Sequence, residues 1–139
     1  MSDRTRSNTK LYKMPLLRGL NGALTRGERV QFVIEDADKI KEMRQLLVIE
    51  NTSKTPNTRN VAKFEGIIKS CKYSVANHLE QIAVTQKDKN NIKEITSQIY
   101  QWIDDGKSED IKFMLLQLLY NGNPGKYGQQ LAIAQKQRG

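Results

Sequence analysis

The chain has 139 residues, 37% of them hydrophobic, a formal net charge of +8 and one cysteine, Cys71. That length fits one ordinary domain able to bury its own core. The single cysteine excludes an intramolecular disulfide, and no run approaches the ~18 consecutive apolar residues of a membrane span. The opening MSDRTRSNT has no apolar h-region. The expectation is a soluble protein without membrane insertion, in a reducing intracellular compartment (cytoplasm or nucleus) or inside a virion.

The first segment, RTRSNTKLYK at residues 4–13, carries Arg4, Arg6, Lys10 and Lys13 with Tyr12 and no acid. Residues 14–24 space Leu16, Leu17, Leu20 and Leu24 like a helix face around Arg18, although Gly19 and Gly22 weaken it. Residues 1–24 thus read as a flexible basic arm with room for one short helix. Thr25 and Glu28 have the spacing of a capping box. Behind them Val30, Val33, Ala37, Ile40 and Leu47 recur at helical steps, which predicts a first long helix over 26–50. Pro56 and the turn formers around it reverse the chain.

The second helix is predicted over 59–86. Val61, Ile68, Val75 and Ile82 fall seven apart, and Phe64, Cys71 and His78 interleave as the other half of a heptad seam. Asn91 as N-cap opens a third helix whose inner face holds Ile92, Ile95, Ile99, Trp102 and Ile103. Gly106 ends it, and Ser108 caps a fourth carrying Ile111, Met114, Leu115, Leu118 and Leu119. Phe64, Trp102 and Leu115 are expected core anchors. Residues 122–139 are expected to form a flexible basic tail with a loose turn or two around Leu131 and Ile133. Fold class is therefore all-α: an antiparallel bundle of four main helices over 25–121, with flexible basic arms at both ends.

The charge is unevenly placed. Residues 1–29 hold seven basic residues, Arg26 and Arg29 among them, against Asp3 and Glu28; residues 122–139 hold Lys126, Lys136 and Arg138 and no acid. The span between holds 13 of each sign, so the whole excess lies at the ends. Folding does not demand that partition, which points to a polyanionic partner.

Chemistry for catalysis is sparse. His78 and Cys71, seven helical residues apart, lie roughly 10 Å from each other, too far for a nucleophile–base pair, and no further Cys or His completes a zinc set. The acids Asp104 and Asp105 sit at a helix C-terminus, where the dipole disfavours them; an ion pair with Lys107 is one explanation. Neither a P-loop nor a dinucleotide fingerprint occurs. Neither an enzyme nor a cofactor is expected.

For nucleic acid, RNA or DNA, three pieces stand out. The arm offers Arg4, Arg6, Lys10, Tyr12, Lys13 and Arg18. The tail offers Lys126, Tyr127, Lys136 and Arg138. Opposite the seam, the second helix presents Arg59, Lys63, Gly66, Ser70, Tyr73 and Asn77, flanked by Lys69 and Lys72. Cations for phosphates and tyrosines for stacking are what sequence-tolerant binding uses, whereas no base-reading motif is present. The expected function is a coat- or nucleocapsid-like protein, as in small viral structural proteins, that packages nucleic acid and forms a homo-oligomer through its helical body. The alternative is a non-enzymatic adaptor docking on an acidic protein.

Overall fold

The computed structural model describes residues 24–138, so the arm residues Arg4, Arg6, Lys10, Tyr12, Lys13 and Arg18 fall outside the described span. All regular structure among the described residues is helical: α1 (Arg26–Asn51), α2 (Thr58–Ile82), α3 (Gln86–Asn90), α4 (Ile92–Asp105), α5 (Ser108–Gly122) and α6 (Pro124–Arg138).

Local chemistry starts and stops these elements where it is strong. The Thr25 hydroxyl accepts from the Glu28 N–H at 3.0 Å, and the Glu28 carboxylate accepts from the Thr25 N–H at 2.8 Å. Both partners of the capping box are thus satisfied. The Asn57 side chain accepts from the N–H groups of Arg59 and Asn60, which opens α2. Gly106 closes α4 at φ 73°, a left-handed conformation that costs a residue with a Cβ.

Other boundaries differ from the sequence expectation. The second helix stops at Ile82, and Ala83 turns extended because Thr85 begins a new turn, its hydroxyl accepting from the Asp88 N–H at 3.1 Å. Asp88 is buried there and accepts from the Asn121 amide at 3.1 Å. Asn91 makes no side-chain cap, since its backbone at ψ 10° lacks the extended geometry that aims a capping side chain. Ser108 lies one residue inside α5, after Lys107. The largest departure is at the end of the chain. Residues 124–138 form a full helix with Pro124 at its first position, where its fixed φ suits helix entry. Leu131 on that helix is buried.

α1 and α2 form an antiparallel hairpin. Arg26 at the start of α1 meets Ile82 at the end of α2, Phe32 stacks on His78, and Glu50 accepts from Asn57 and Asn60 at the other end. One core joins Val33, Ala37 and Ile40 of α1 to Val75, Leu79 and Ile82 of α2. Ile95, Ile99 and Ile103 of α4 and Ile111, Leu115, Leu118 and Leu119 of α5 complete it. α6 packs back along α5. No residue between Arg44 and Ser74 is fully buried, so the upper half of the heptad seam, Phe64 included, is only half-covered. Trp102 is half-buried as well, whereas Leu115 is fully buried.

Candidate nucleic-acid interface

The outer face of α2 keeps the geometry its spacing implies. Arg59, Lys63, Gly66, Ser70, Tyr73 and Asn77 are all exposed, one stripe running roughly 27 Å along the helix. Tyr73 is 74% exposed. Within the described residues none of Arg59, Lys63 and Lys69 has an ion-pair partner. A Cβ at Gly66 would meet nothing within 4 Å, so packing does not require that glycine. Lys72 differs from its neighbours. Its ammonium lies 4.7 Å from the centre of the Tyr100 ring on α4, and its backbone carbonyl accepts from the Tyr100 hydroxyl at 2.7 Å. The helix carries Glu65 and Glu80 as its acids, against four basic residues.

The tail residues divide into committed and available. On α6, Tyr127, Leu131, Ala134 and Arg138 follow one another at helical steps on the side toward the body, with Leu131 buried and Arg138 exposed. Tyr127 packs against the core. Arg138 donates to Asp110 at 2.8 Å and lies 4.5 Å over the Phe113 ring. Those two are spent on holding α6 to the body. Lys126 and Lys136 remain exposed, Lys126 with its ammonium 5.4 Å from the Tyr127 ring.

Part of the N-terminal charge is also internal. The Arg26 guanidinium donates to three carbonyls at once: Ile82 at 2.8 Å, Leu118 at 2.7 Å and Leu119 at 3.4 Å. It ties the ends of α2 and α5 to the start of α1. Burial works against its charge, which Tyr127 and Asp88 support. Gly122 lies close beside it: a Cβ there would strike the Val84 methyl and approach both terminal Arg26 nitrogens at 2.7 Å, so any larger residue must displace one of them. Arg29 donates to His78 Nδ1 at 3.1 Å. Sequence spacing marked neither role, because each partner lies far along the chain. The structure also brings the root of the arm to the root of α6: a Cβ at Gly27 would stand 3.8 Å from the Tyr127 hydroxyl. The α2 stripe lies further along the hairpin from that junction.

The remaining polar groups behave as packing residues. His78 Nδ1 must accept, since Arg29 can only donate, so its proton sits on Nε2. Burial and the neighbouring guanidinium hold this imidazole down at about 4. Asp36 faces α2 with its Oδ2 buried and unpartnered. Burial pushes its carboxyl up to about 6, against the polar pull of Ser74 and with the repulsion of Glu35. Burial and the Asp36 charge push the Cys71 thiol up to about 11, the reverse of what a nucleophile needs. Asp104 pairs with Arg44 of α1 at 2.9 Å rather than with Lys107, and Asp105 accepts from Gln101. Among the described residues no group of three or more His, Cys, Asp or Glu is placed to hold a metal ion, and no helix is long and apolar enough to cross a membrane.

Fold and surface together define an all-helical protein that presents a basic, tyrosine-bearing helix face. Compared with protein-family models, curated proteins and solved structures, the chain matches none of them.

Proposed function

We propose that this protein binds nucleic acid along the phosphate backbone with little regard to sequence, coats it, and associates with copies of itself. The observation that carries this reading is the α2 stripe, where Arg59, Lys63 and Lys69 stand exposed beside Tyr73 with no ion-pair partner among the described residues. Such cations release counterions when they meet phosphates, and that release supplies most sequence-tolerant affinity. Lys126 and Lys136 on α6 and the cations of residues 1–24 add to the chain's positive charge. The stripe is exposed, whereas Val75, Leu79 and Ile82 of the same helix are buried.

The test is a salt titration of binding to RNA and DNA. Changing Arg59, Lys63 and Lys69 together to Ala should flatten the log–log slope by about 2–3 and weaken all sequences alike. The set Arg4, Arg6, Lys10 and Lys13 should behave in the same way, with a loss of about 3. Unchanged slopes in both variants would end this reading.

One observation favours a second reading. Val48 and Ile49, at the end of α1, are 62% and 66% exposed. An apolar pair of that kind suits a protein contact, as an adaptor would make. Nucleic acid co-purifying with the protein, read as the 260/280 nm ratio before and after a high-salt wash, separates the two readings.

A further inference from the structure

Beside the α2 stripe lies a groove that phosphate binding alone does not use. Helical spacing builds it. Glu65, Lys69 and Tyr73 form one ridge of α2, and Ile68, Lys72 and Ala76 form the next, toward α4. These ridges and the Tyr100 side chain of α4 line an open groove of ≈ 500 Å³. That volume lies within the range of small-molecule sites. Its surface is mostly apolar, with the half-buried Ile68 and Ala76 contributing aliphatic atoms. Tyr100 is held in place by its hydrogen bond to the Lys72 carbonyl, whereas Tyr73 is 74% exposed.

We infer that this groove is a slot for an unpaired nucleobase of a single strand, with Tyr73 and Tyr100 as stacking surfaces and Lys69 and Lys72 holding the flanking phosphates. The inference rests on the nucleic-acid reading above and adds strandedness to it. Two features select this occupant. Two lysines against one carboxylate, Glu65, leave the groove electropositive, and the stripe continues the positive charge through Lys63 and Arg59. A single strand matches that layout, because its phosphates track the lysines while a base turns its flat face to a ring. A base inside a duplex is stacked between its neighbours and has no face to offer. Stacking also explains why a large aromatic ring stands in water at position 73 on a helix that gains no packing from it. Lys72 already covers the Tyr100 ring at 4.7 Å, so a base entering beside that ring meets a cation that has only to swing toward the adjacent phosphate.

The experiment uses the full chain with a labelled single-stranded oligo(U) and an RNA duplex of equal length, titrated at several salt concentrations. Tyr73→Ala, an exposed substitution that leaves the core intact, should weaken single-strand binding about 5- to 100-fold with an unchanged salt slope. Duplex binding should stay the same. Lys69→Ala with Lys72→Ala should instead flatten the single-strand slope by about 1.4. A strand carrying 4-thiouridine should photo-crosslink to Tyr73 or Tyr100. Single-strand affinity unaffected by Tyr73→Ala, or an equal loss on the duplex, would remove the slot and leave the phosphate reading standing. Unaltered binding together with a changed sedimentation coefficient in Tyr73→Ala would assign the groove to a second copy of the chain. No binding of either polymer by the wild type at low salt would overturn both proposals.

Discussion

Val75 and Ile82, in the second half of α2, are fully buried, while Val61 and Ile68, at the same seam positions one and two heptads earlier, are only half-covered. The sequence pattern is continuous across them; the surroundings are not. At the base of the hairpin, α4 and α5 close over the seam with Ile99, Ile103, Leu115 and Leu118. α4 reaches along the hairpin to Arg44, where Asp104 ends the contact with an ion pair. Beyond that point the named contacts are those of α1 and α2 with each other. Two helices cannot enclose a side chain that projects between them, so an apolar heptad there is covered on one side and open on the other. A regular seam therefore reports where a helix would pack, and α4 and α5 decide how much it gains.

The largest effects should fall at the base. Leu79→Ala and Leu115→Ala, both at fully buried positions, are expected to cost about 3–5 kcal/mol in urea unfolding. Arg26→Met keeps the aliphatic stem but leaves the carbonyls of Ile82, Leu118 and Leu119 without their donor, a loss of about 2–3 kcal/mol. Arg26→Lys should rescue little of that, since one ammonium cannot copy a planar fork. Phe64→Ala at the tip should cost only about 1–2 kcal/mol, because its ring is partly exposed from the outset. A loss at Phe64 as large as at Leu79 would mean that something covers the tip in solution, and the comparison would fail.

Acidity probes the middle of the hairpin through two groups that oppose each other. His78 titrates at about 4 in the fold against 6.5 when free, so the unfolded chain takes up its proton first and stability falls between pH 6.5 and 4. Asp36 titrates at about 6 against 3.8, so the native state takes up its proton first and stability rises as pH falls through 6. The wild-type urea midpoint should change little between pH 6.5 and 4.5. Asp36→Asn should reveal the His78 loss as a midpoint that drops on acidification. His78→Gln should reveal the opposite slope. Parallel slopes in the two variants would contradict the packing described for both groups.

The smallest stability effect is expected at the far end. Ile49→Lys should shift unfolding by no more than about 0.5 kcal/mol, since its side chain is 66% exposed. A change in sedimentation on that substitution, with stability intact, would show that Val48 and Ile49 serve a protein contact.

The amino-acid sequence by itself determined the all-helical class, the box at Thr25 and Glu28, the stop at Gly106 and the exposed stripe from Arg59 to Asn77. Those depend on contacts between residues three or four apart, or on one residue's own backbone preference, and are complete within a turn of helix. The caps at Asn91 and Ser108 failed because neighbouring turns took the backbone geometry those caps require. Tertiary structure decided the rest of the candidate interface. Arg26 and Arg29 count as surface cations in any tally of the sequence, yet their partners lie 56 and 49 residues away, and the fold turns both charges inward. Tyr127 packs against the core, and Arg138, though exposed, is tied to Asp110 and Phe113 once α6 docks on α5. The groove beside Tyr73 was invisible for a related reason. Six of its lining residues belong to α2 and the seventh is Tyr100, 28 residues from Lys72, so only packing α4 against α2 completes it.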